Sequence, residues 1–194
     1  MRVGVLALQG AVSEHVSCLY KAMGKIGVPE SEREIVEVRV KSDLEGLEGI
    51  VLPGGESTTL SLLMEEEGLF EAVSAVPKIL GTCAGAILLA KEIIGAKNGQ
   101  KSLGLMDISV VRNAYGRQLE SFEERIGIVL DGKEGEINAV FIRAPVIGKV
   151  GEGVEVLASC RGEPVAVRQG KYIAATFHPE LSGDTLLHEY FLRT

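Results

Sequence analysis

Residues 79–91 of the chain read ILGTCAGAILLAK, in which an apolar run reaches a Gly-x-Cys-x-Gly corner and continues in a helical pattern. This pattern is typical of a nucleophile elbow, where a strand turns sharply into a helix and lifts the corner side chain out of the sheet. Gly81 and Gly85 leave space that a Cβ would fill, and the positive end of the helix favours a thiolate at Cys83. The alternative interpretation is a buried cysteine whose neighbouring glycines serve packing alone.

The composition describes a soluble globular protein. A length of 194 residues, 46% of them hydrophobic and 24% charged, suits a single domain covering residues 1–194. The formal charge of −7 argues against nucleic acid or an anionic membrane as the main partner. No cluster of His, Cys, Asp and Glu has the spacing of a metal site, so we expect neither a metal nor a cofactor.

Cysteine usage indicates a reducing compartment. The three cysteines, Cys18, Cys83 and Cys160, are widely spaced and form no CxxC pair. The first apolar run, at residues 3–8, is too short for a signal peptide or for a membrane span. We therefore expect a cytoplasmic protein.

The first half of the chain alternates short strands and helices through about residue 94. The predicted strands cover residues 3–8, 35–40, 49–52 and 77–82. A helix capped by Ser13 is predicted after the first strand, and one capped by Ser57 or Thr58 after the third. Such alternation indicates parallel strands with helices on both faces, so ligands bind at the carboxyl ends of the strands. The glycine turn at residues 53–55 and the corner at Cys83 both lie at such ends, and we expect them at one edge.

The second half is richer in strands. Short strands are predicted at residues 108–111, 126–130, 139–142 and 154–158. Residues 164–168 and 172–177 flank a predicted antiparallel hairpin turn, and a closing helix is expected at residues 184–192. The predicted fold is a three-layer α/β/α domain of flavodoxin-like type, with a mixed sheet and an antiparallel extension in the second half.

A His-Pro-Glu motif follows the last predicted strand. Residues two apart in an extended segment face the same side, so His178 and Glu180 can act together. A carboxylate can select the tautomer of a histidine, which then deprotonates a thiol and protonates a leaving group. The alternative is a surface turn without function. His15 and His188 lie on predicted helices, where we expect ordinary core or solvent roles, so His178 is the candidate base for Cys83.

Acyl transfer also requires hydrogen-bond donors for the oxyanion. The N–H group of Ala84, directly after the candidate nucleophile, is one candidate. The turn at Gly54 and Gly55 offers another, because glycine lets its peptide face a substrate. A plain strand-to-helix turn is the alternative for these glycines.

Three motifs together resemble the class I (triad) glutamine amidotransferases: PGGEST at residues 53–58, GTCAG at 81–85 and HPE at 178–180. More narrowly, LALQG at 6–10, RNAYGRQ at 112–118 and FIRAP at 141–145 resemble the glutaminase subunits of pyridoxal 5′-phosphate synthase. The resemblance covers nearly the whole chain. The connection at residues 29–34 is a few residues longer than is usual in that family.

The resemblance implies a glutamine pocket formed by Gly54, Gly55, Glu56, Arg112, Ile142 and Arg143. An arginine suits the substrate carboxylate and a glutamate suits its ammonium group. Without the resemblance, Arg112 and Arg143 would be interpreted as surface charges at strand ends. Gln9 resembles part of the docking face for a partner. Five further charged residues are expected to be solvated or to face the partner: Arg117, Glu120, Glu123, Glu124 and Arg125.

The resemblance further implies glutamine hydrolysis through a γ-glutamyl thioester on Cys83, with His178 protonating the departing ammonia. The ammonia would pass to a partner lyase subunit of the synthase, in a hetero-oligomer, for vitamin B6 synthesis. The chain has no P-loop and no recognisable Schiff-base lysine for the sugar phosphates, which argues for that partner. The resemblance also implies weak activity until docking orders the oxyanion hole.

Three other interpretations remain open. The chain could supply another ammonia-using synthase, such as imidazole glycerol phosphate synthase, although the RNAYGRQ stretch argues against this. Stress-response, redox or peptidase relatives use the same elbow but often place histidine after the cysteine, where this chain has Ala84. A binding module that has lost its chemistry is disfavoured by the intact triad.

Overall fold

The computed structural model describes residues 1–97, 99–112 and 121–194. The strands are β1 (Arg2–Leu6), β2 (Glu34–Val38), β3 (Gly49–Leu52), β4 (Ile79–Thr82), β5 (Ala90–Ile94), β6 (Met106–Val111), β7 (Phe122–Leu130), β8 (Lys133–Phe141), β9 (Val146–Val150), β10 (Glu155–Cys160), β11 (Glu163–Gln169) and β12 (Tyr172–Ala175). The α-helices are α1 (Val12–Lys25), α2 (Ser57–Glu66), α3 (Leu69–Ser74), α4 (Ala84–Leu89) and α5 (Leu186–Arg193). None of the helices in these ranges is long and apolar enough to cross a membrane.

The main sheet is mixed. Its strand order is β2-β1-β3-β4-β12-β11-β10-β7-β8. The first five strands in this order are parallel, and the remaining pairs are antiparallel. The predicted hairpin is present as β11 and β12, with Ala166 opposite Ala175. Because β12 also pairs with β4, the antiparallel second half joins directly to the parallel first half.

Side chains of the parallel strands alternate between two cores, as the period of a strand requires. Val51 and Leu80 pack in one core with residues of α1 and α5. Ile50, Leu52 and Ile79 pack in the other with residues of α2, α3 and α4. The sheet therefore lies between two helical layers, which is the predicted three-layer arrangement.

The helix after Cys83 is shorter than its sequence suggests. It ends at Leu89, and the next residues form β5 in a second sheet of order β5-β6-β9. The helical pattern expected through Lys91 therefore ends two residues early, because Ala90 and Lys91 belong to β5. Every residue from Ala84 to Ala90 is buried, so the segment has no polar face to mark where the helix ends. The strand β9, which contains Gly148, was also missing from the predicted elements.

Two predicted helix caps are wrong as well. Ala11 precedes α1, and Ser13 lies within its first turn, where its hydroxyl donates to Glu14. The cap of α2 is Glu56, whose carboxylate accepts the Thr59 N–H at 2.7 Å. A carboxylate at this position satisfies a free N–H group of the first turn and meets the positive end of the helix.

The two elbow glycines can be tested by substitution. A Cβ on Gly85 would lie 2.0 Å from the Leu52 carbonyl oxygen, and one on Gly81 would lie 2.5 Å from the Gly85 backbone. We expect Gly85→Ala to lower the free energy of unfolding by about 1–3 kcal/mol, because backbone atoms must move apart. Urea denaturation measures the change.

Gly127→Ala is the matched control, because this glycine lies in β7 with open space around its Cβ position. It should leave stability unchanged or slightly higher. Equal stabilities of the two variants would contradict the packing role of the elbow glycine.

Candidate active site

Neighbouring parallel strands end at one edge of the sheet and supply one cavity. Gln9 and Gly10 follow β1, the glycine turn follows β3, Cys83 follows β4, and His178 follows β12. The cavity has a volume of about 280 Å³. Its lining residues are Gly10, Ala11, Gly54, Gly55, Glu56, Ser57, Cys83, Ala84, Ile87, Arg112, Ile142, Arg143, Pro145, His178 and Leu181. Of the predicted site residues, Gln9 and Glu180 lie outside this lining, each directly behind one wall.

Cys83 occupies a strained corner. Its φ of 49° and ψ of −102° are unusual for any residue other than glycine. The Cys83 N–H donates to the Ala175 carbonyl at 2.8 Å, so the last residue of β12 holds the corner in place. The next residue begins α4. The structure therefore has the sharp strand-to-helix turn that the Gly-x-Cys-x-Gly pattern predicts.

His178 and Glu180 form a buried pair. His178 Nδ1 lies 2.8 Å from Glu180 Oε1, and the His178 N–H donates to the Val140 carbonyl at 2.8 Å. The segment Pro179–Leu181 is a 3-10 turn, so this turn, and not the expected extended backbone, brings the two side chains together. A proton on Nδ1 leaves Nε2 available toward the cysteine.

The charge of His178 follows from its neighbours. Burial of the ring disfavours the imidazolium form, but hydrogen bonds to Cys83 and Glu180, together with their charges, outweigh burial. The net effect of these interactions is to raise the pKa of His178 from 6.5 to about 10. The ring is therefore protonated at neutral pH, next to the sulfur.

The glycine turn packs against this pair. A Cβ on Gly54 would lie 2.3 Å from His178 Cε1 and 3.3 Å from Cys83 Cβ. Gly55 has a φ of 154°, and the following Glu56 N–H donates to Gln9 Oε1 at 3.3 Å. The turn thus joins Gln9, at the end of β1, to the cysteine and histidine. The roles of Gly54, Gly55 and Ala84 as oxyanion donors stay predictions, and all three residues line the cavity.

Glu56 and Arg112, expected to bind opposite ends of a substrate, contact each other. Arg112 Nη2 lies 3.0 Å from Glu56 Oε1. Burial would raise the pKa of Glu56, but hydrogen bonds from Thr59 and Thr58 lower it to about 2, so the carboxylate is anionic. Gln100 also accepts a hydrogen bond from Arg112. No motif in the sequence marked Gln100.

Ile142 and Arg143 form another wall, directly after β8. Arg143 has a φ of 47°, which is uncommon for a residue with a Cβ. Its side chain is exposed, and no ion pair joins it to any residue within the described ranges. A cationic side chain is therefore available at the mouth of the cavity.

One buried contact to Glu180 comes from a residue outside the predicted site. His15 was expected to have an ordinary role on its helix, yet its fully buried Nε2 lies 3.4 Å from Glu180 Oε2. The sequence gives little sign of this contact, because His15 lies far from the His-Pro-Glu motif along the chain and only the tertiary fold brings the two side chains together.

Several predicted residues lie elsewhere. Residues 113–118 of the RNAYGRQ stretch, with Arg117, and also Glu120, fall outside the described residues. Glu124 pairs with Arg161, and Arg125 pairs with Glu136 on the neighbouring strand. These ion pairs are surface features away from the cavity.

Comparisons with known proteins give one consistent result. The model of the SNO glutamine amidotransferase family matches residues 5–194. The chain is 50% identical to the pyridoxal 5′-phosphate synthase subunit PdxT of Oenococcus oeni, covering 100% of this chain and 96% of the relative. It is 51% identical to the subunit of the same name from Thermus thermophilus, covering 98% and 95%.

Solved structures agree with the fold. A crystal structure of a glutamine amidotransferase superposes with a TM-score of 0.85 at 48% identity, covering 100% of this chain and 98% of the other. A glutamine amidotransferase from Thermotoga maritima superposes with a TM-score of 0.59 at 18% identity, covering 93% and 77%, which is a likeness of fold alone.

The charge of His178 can be tested by titration. Glu180→Gln removes a negative charge that favours the imidazolium, so the pKa of His178 should fall below about 10. Proton NMR of the histidine Cε1–H signals as a function of pH measures the midpoint. Glu136→Gln, an exposed carboxylate paired with Arg125, is the control and should leave it unchanged. A midpoint that is the same in all three proteins would contradict the carboxylate's role.

Proposed function

The chain belongs to the SNO glutamine amidotransferase family, and we propose that it hydrolyses glutamine with Cys83 as nucleophile, His178 as acid and base, and Glu180 as the carboxylate that orients His178. The observation that carries the assignment is the shared cavity, in which a strained cysteine corner faces a histidine held by a buried carboxylate. The family membership agrees with the resemblance seen in the sequence motifs.

The proposed reaction begins at the sulfur. Cys83 attacks the side-chain amide carbon of glutamine, and the negative charge that develops on oxygen is stabilised by N–H donors of Ala84 and of the Gly54–Gly55 turn. Each such donor lowers the barrier by about 3–4 kcal/mol in comparable sites. His178, already protonated at neutral pH, gives its proton to the departing ammonia.

The second half of the reaction uses the same histidine. Once neutral, His178 accepts a proton from water, which attacks the γ-glutamyl thioester and releases glutamate. Glu180 stays on Nδ1 throughout, so Nε2 serves both proton transfers. Cleavage of the C–S bond releases Cys83 as a thiolate, and the proton taken from water leaves His178 protonated again, so the site is ready for the next substrate.

Substrate recognition relies on opposite charges at the cavity. Glu56 is anionic and suits the α-ammonium group of glutamine, while Arg143 and Arg112 suit its α-carboxylate. We assign the main carboxylate contact to Arg143, because Arg112 is engaged by Glu56. Gly54, Gly55 and Ile142 complete the pocket around the side-chain amide.

The ammonia has a specific destination in this proposal. Relatives of the chain are named as subunits of pyridoxal 5′-phosphate synthase. In bulk water ammonia becomes ammonium, which is not a nucleophile, so it must reach its acceptor through protein. We propose that a lyase subunit of that synthase docks on this chain, receives the ammonia and uses it in vitamin B6 synthesis.

Binding of the partner can affect the geometry of the site through Gln9. This half-buried side chain accepts the Glu56 N–H at 3.3 Å, and the glycine turn next to it presses on His178. A partner that shifts Gln9 would therefore move the proposed oxyanion donors, which supports activation on docking. We also propose that the whole chain acts as one glutaminase domain in the cytoplasm.

The other interpretations have less support. The named relatives favour pyridoxal 5′-phosphate synthase over imidazole glycerol phosphate synthase as the destination of ammonia. A stress or redox role would not need Arg143 in the cavity wall or the anionic Glu56, because neither residue acts on the sulfur. A pure binding module would have no use for the strained corner at Cys83, which is costly to maintain.

Loss of the sulfur should abolish activity. Cys83→Ala should reduce glutamate release by at least about 10⁴-fold, as for other nucleophiles whose loss disables a triad. Glutamate is measured enzymatically, with and without the synthase subunit, and wild type should be more active with it. Cys160→Ala, a buried cysteine outside the cavity lining, is the control and should retain activity. Undiminished hydrolysis by Cys83→Ala would refute the assignment.

Arg143 should act on binding. Arg143→Gln should raise the KM for glutamine about tenfold or more, because a charged hydrogen bond contributes ~1.5–3 kcal/mol and 1.4 kcal/mol is tenfold. The value of kcat should change little, since Arg143 lies away from the reacting carbon. Steady-state kinetics of the complex measure both constants, and Arg125→Ala on the exposed face of β7 is the control. An unchanged KM would contradict the proposed carboxylate contact.

A further inference from the structure

One oxygen of the buried carboxylate remains without a hydrogen bond. Glu180 Oε1 is taken by His178, whereas Glu180 Oε2 is a fully buried oxygen for which the described residues provide no bond of good geometry. A buried ionised oxygen without a donor costs free energy, and such oxygens are rare in folded proteins. A donor that needs only a small adjustment would resolve this.

His15 is in the position to be that donor. Its Nε2 lies 3.4 Å from Glu180 Oε2 and 3.1 Å from the hydroxyl oxygen of Thr82, the residue before Cys83. His15 is fully buried on α1 and lies outside the cavity lining, so it cannot touch the substrate. It therefore sits behind the triad and links Glu180 to the strand that carries the nucleophile.

The tautomer of His15 follows from a chain of buried groups. His15 Nδ1 lies 2.9 Å from His188 Nε2, and His188 Nδ1 lies 3.2 Å from Cys18 Sγ. Burial raises the pKa of Cys18 to about 12, so its thiol keeps a proton to donate to His188 Nδ1. Neutral His188 then carries its proton on Nε2 and donates it to His15 Nδ1.

Hydrogen bonds that run from Cys18 to His188 and from His188 to His15 require both histidines to be neutral, and both are. Burial lowers the pKa of His188 to about 4. Burial, together with repulsion from the His188 and His178 rings, holds the pKa of His15 well below 6.5. A neutral His15 that accepts on Nδ1 must have its proton on Nε2, facing Glu180. In the reversed arrangement, the Cys18 thiol would donate to the Asp184 carbonyl at 3.5 Å and His15 would donate from Nδ1 to His188. The lone pair on His15 Nε2 would then face the negative oxygen of Glu180, which is unfavourable.

We propose that His15 is a positioning residue for the triad, in which its Nε2–H holds Glu180 Oε2 and thereby keeps Oε1 on His178 Nδ1. The proposal rests on the proposed function of Cys83 and His178. A carboxylate held at both oxygens cannot rotate away from the imidazole. The Nδ1–H of His178 therefore stays on Glu180, and the ring exchanges its protons through Nε2, which faces the sulfur.

The kinetic test compares two substitutions of His15 in the complex with the synthase subunit. His15→Phe keeps a ring but removes the donor, and should lower kcat about tenfold or more, as loss of an orienting partner does elsewhere. KM for glutamine should stay near its wild-type value. His15→Gln can place an amide N–H near the position of Nε2, and should recover most of kcat. Leu19→Val, a buried packing change on the same helix, is the control and should retain kcat.

A second measurement needs no substitution. In wild-type protein with ¹⁵N-labelled histidine, NMR shifts of the two ring nitrogens report the tautomer of His15, which should be Nε2–H. A proton on Nδ1 would overturn the proposal, and this result stands even if His15→Phe does not fold. An unchanged kcat in His15→Phe, or equal losses in the Phe and Gln variants, would also overturn it.

Failure of the proposed function would be recognised separately. In that case wild type would release no glutamate with the synthase subunit, and Cys83→Ala would behave identically. If wild type hydrolyses glutamine and His15→Phe does so at the same rate, the function stands and only the role of His15 is refuted.

Discussion

The parallel pairing of β4 with β12 is the contact on which the site depends. It sets Thr82 opposite Ala175, so the two chain segments leave the sheet at the same level. The Cys83 N–H then bonds to the Ala175 carbonyl, and His178 follows three residues after Ala175. A shift of one residue in this register would turn the side chains to the opposite face. Groups from distant parts of the sequence meet because this one register is specified by both buried cores.

Close backbone approach is the second constraint. Gly54 presses on the imidazole, Gly10 presses on the Gly54 carbonyl, and Gly85 presses on β3, all at distances that exclude a Cβ. The glycines near the site therefore allow neighbouring segments to pack closely, in addition to allowing tight turns. Such packing leaves little freedom for Cys83, which explains how the fold maintains a corner that is strained for a residue with a side chain.

Much of this arrangement could be predicted, because the signals are local. The alternating strands and helices, the cysteine corner and the His-Pro-Glu motif each depend on neighbours in sequence. The pairing of Glu56 with Arg112, and the contact of His15 with Glu180, depend on tertiary packing and have no local signature. The early end of α4 was hidden because its residues are buried all round, so hydrophobic periodicity carries no information there.

The buried side of the triad, behind Glu180, is more rigid than the side formed by the glycine turn. This difference separates the groups proposed for catalysis from those that docking could affect. Behind Glu180, His15 and His188 are fully buried and bonded to each other, so that side is fixed by the core. In front, the glycine turn is tied to Gln9 by one long hydrogen bond from Glu56 at the rim of the cavity. In the proposed complex, a partner that contacts Gln9 would act on this front side. Regulation by docking would therefore act on the proposed oxyanion donors, while the sulfur, imidazole and carboxylate would remain assembled throughout.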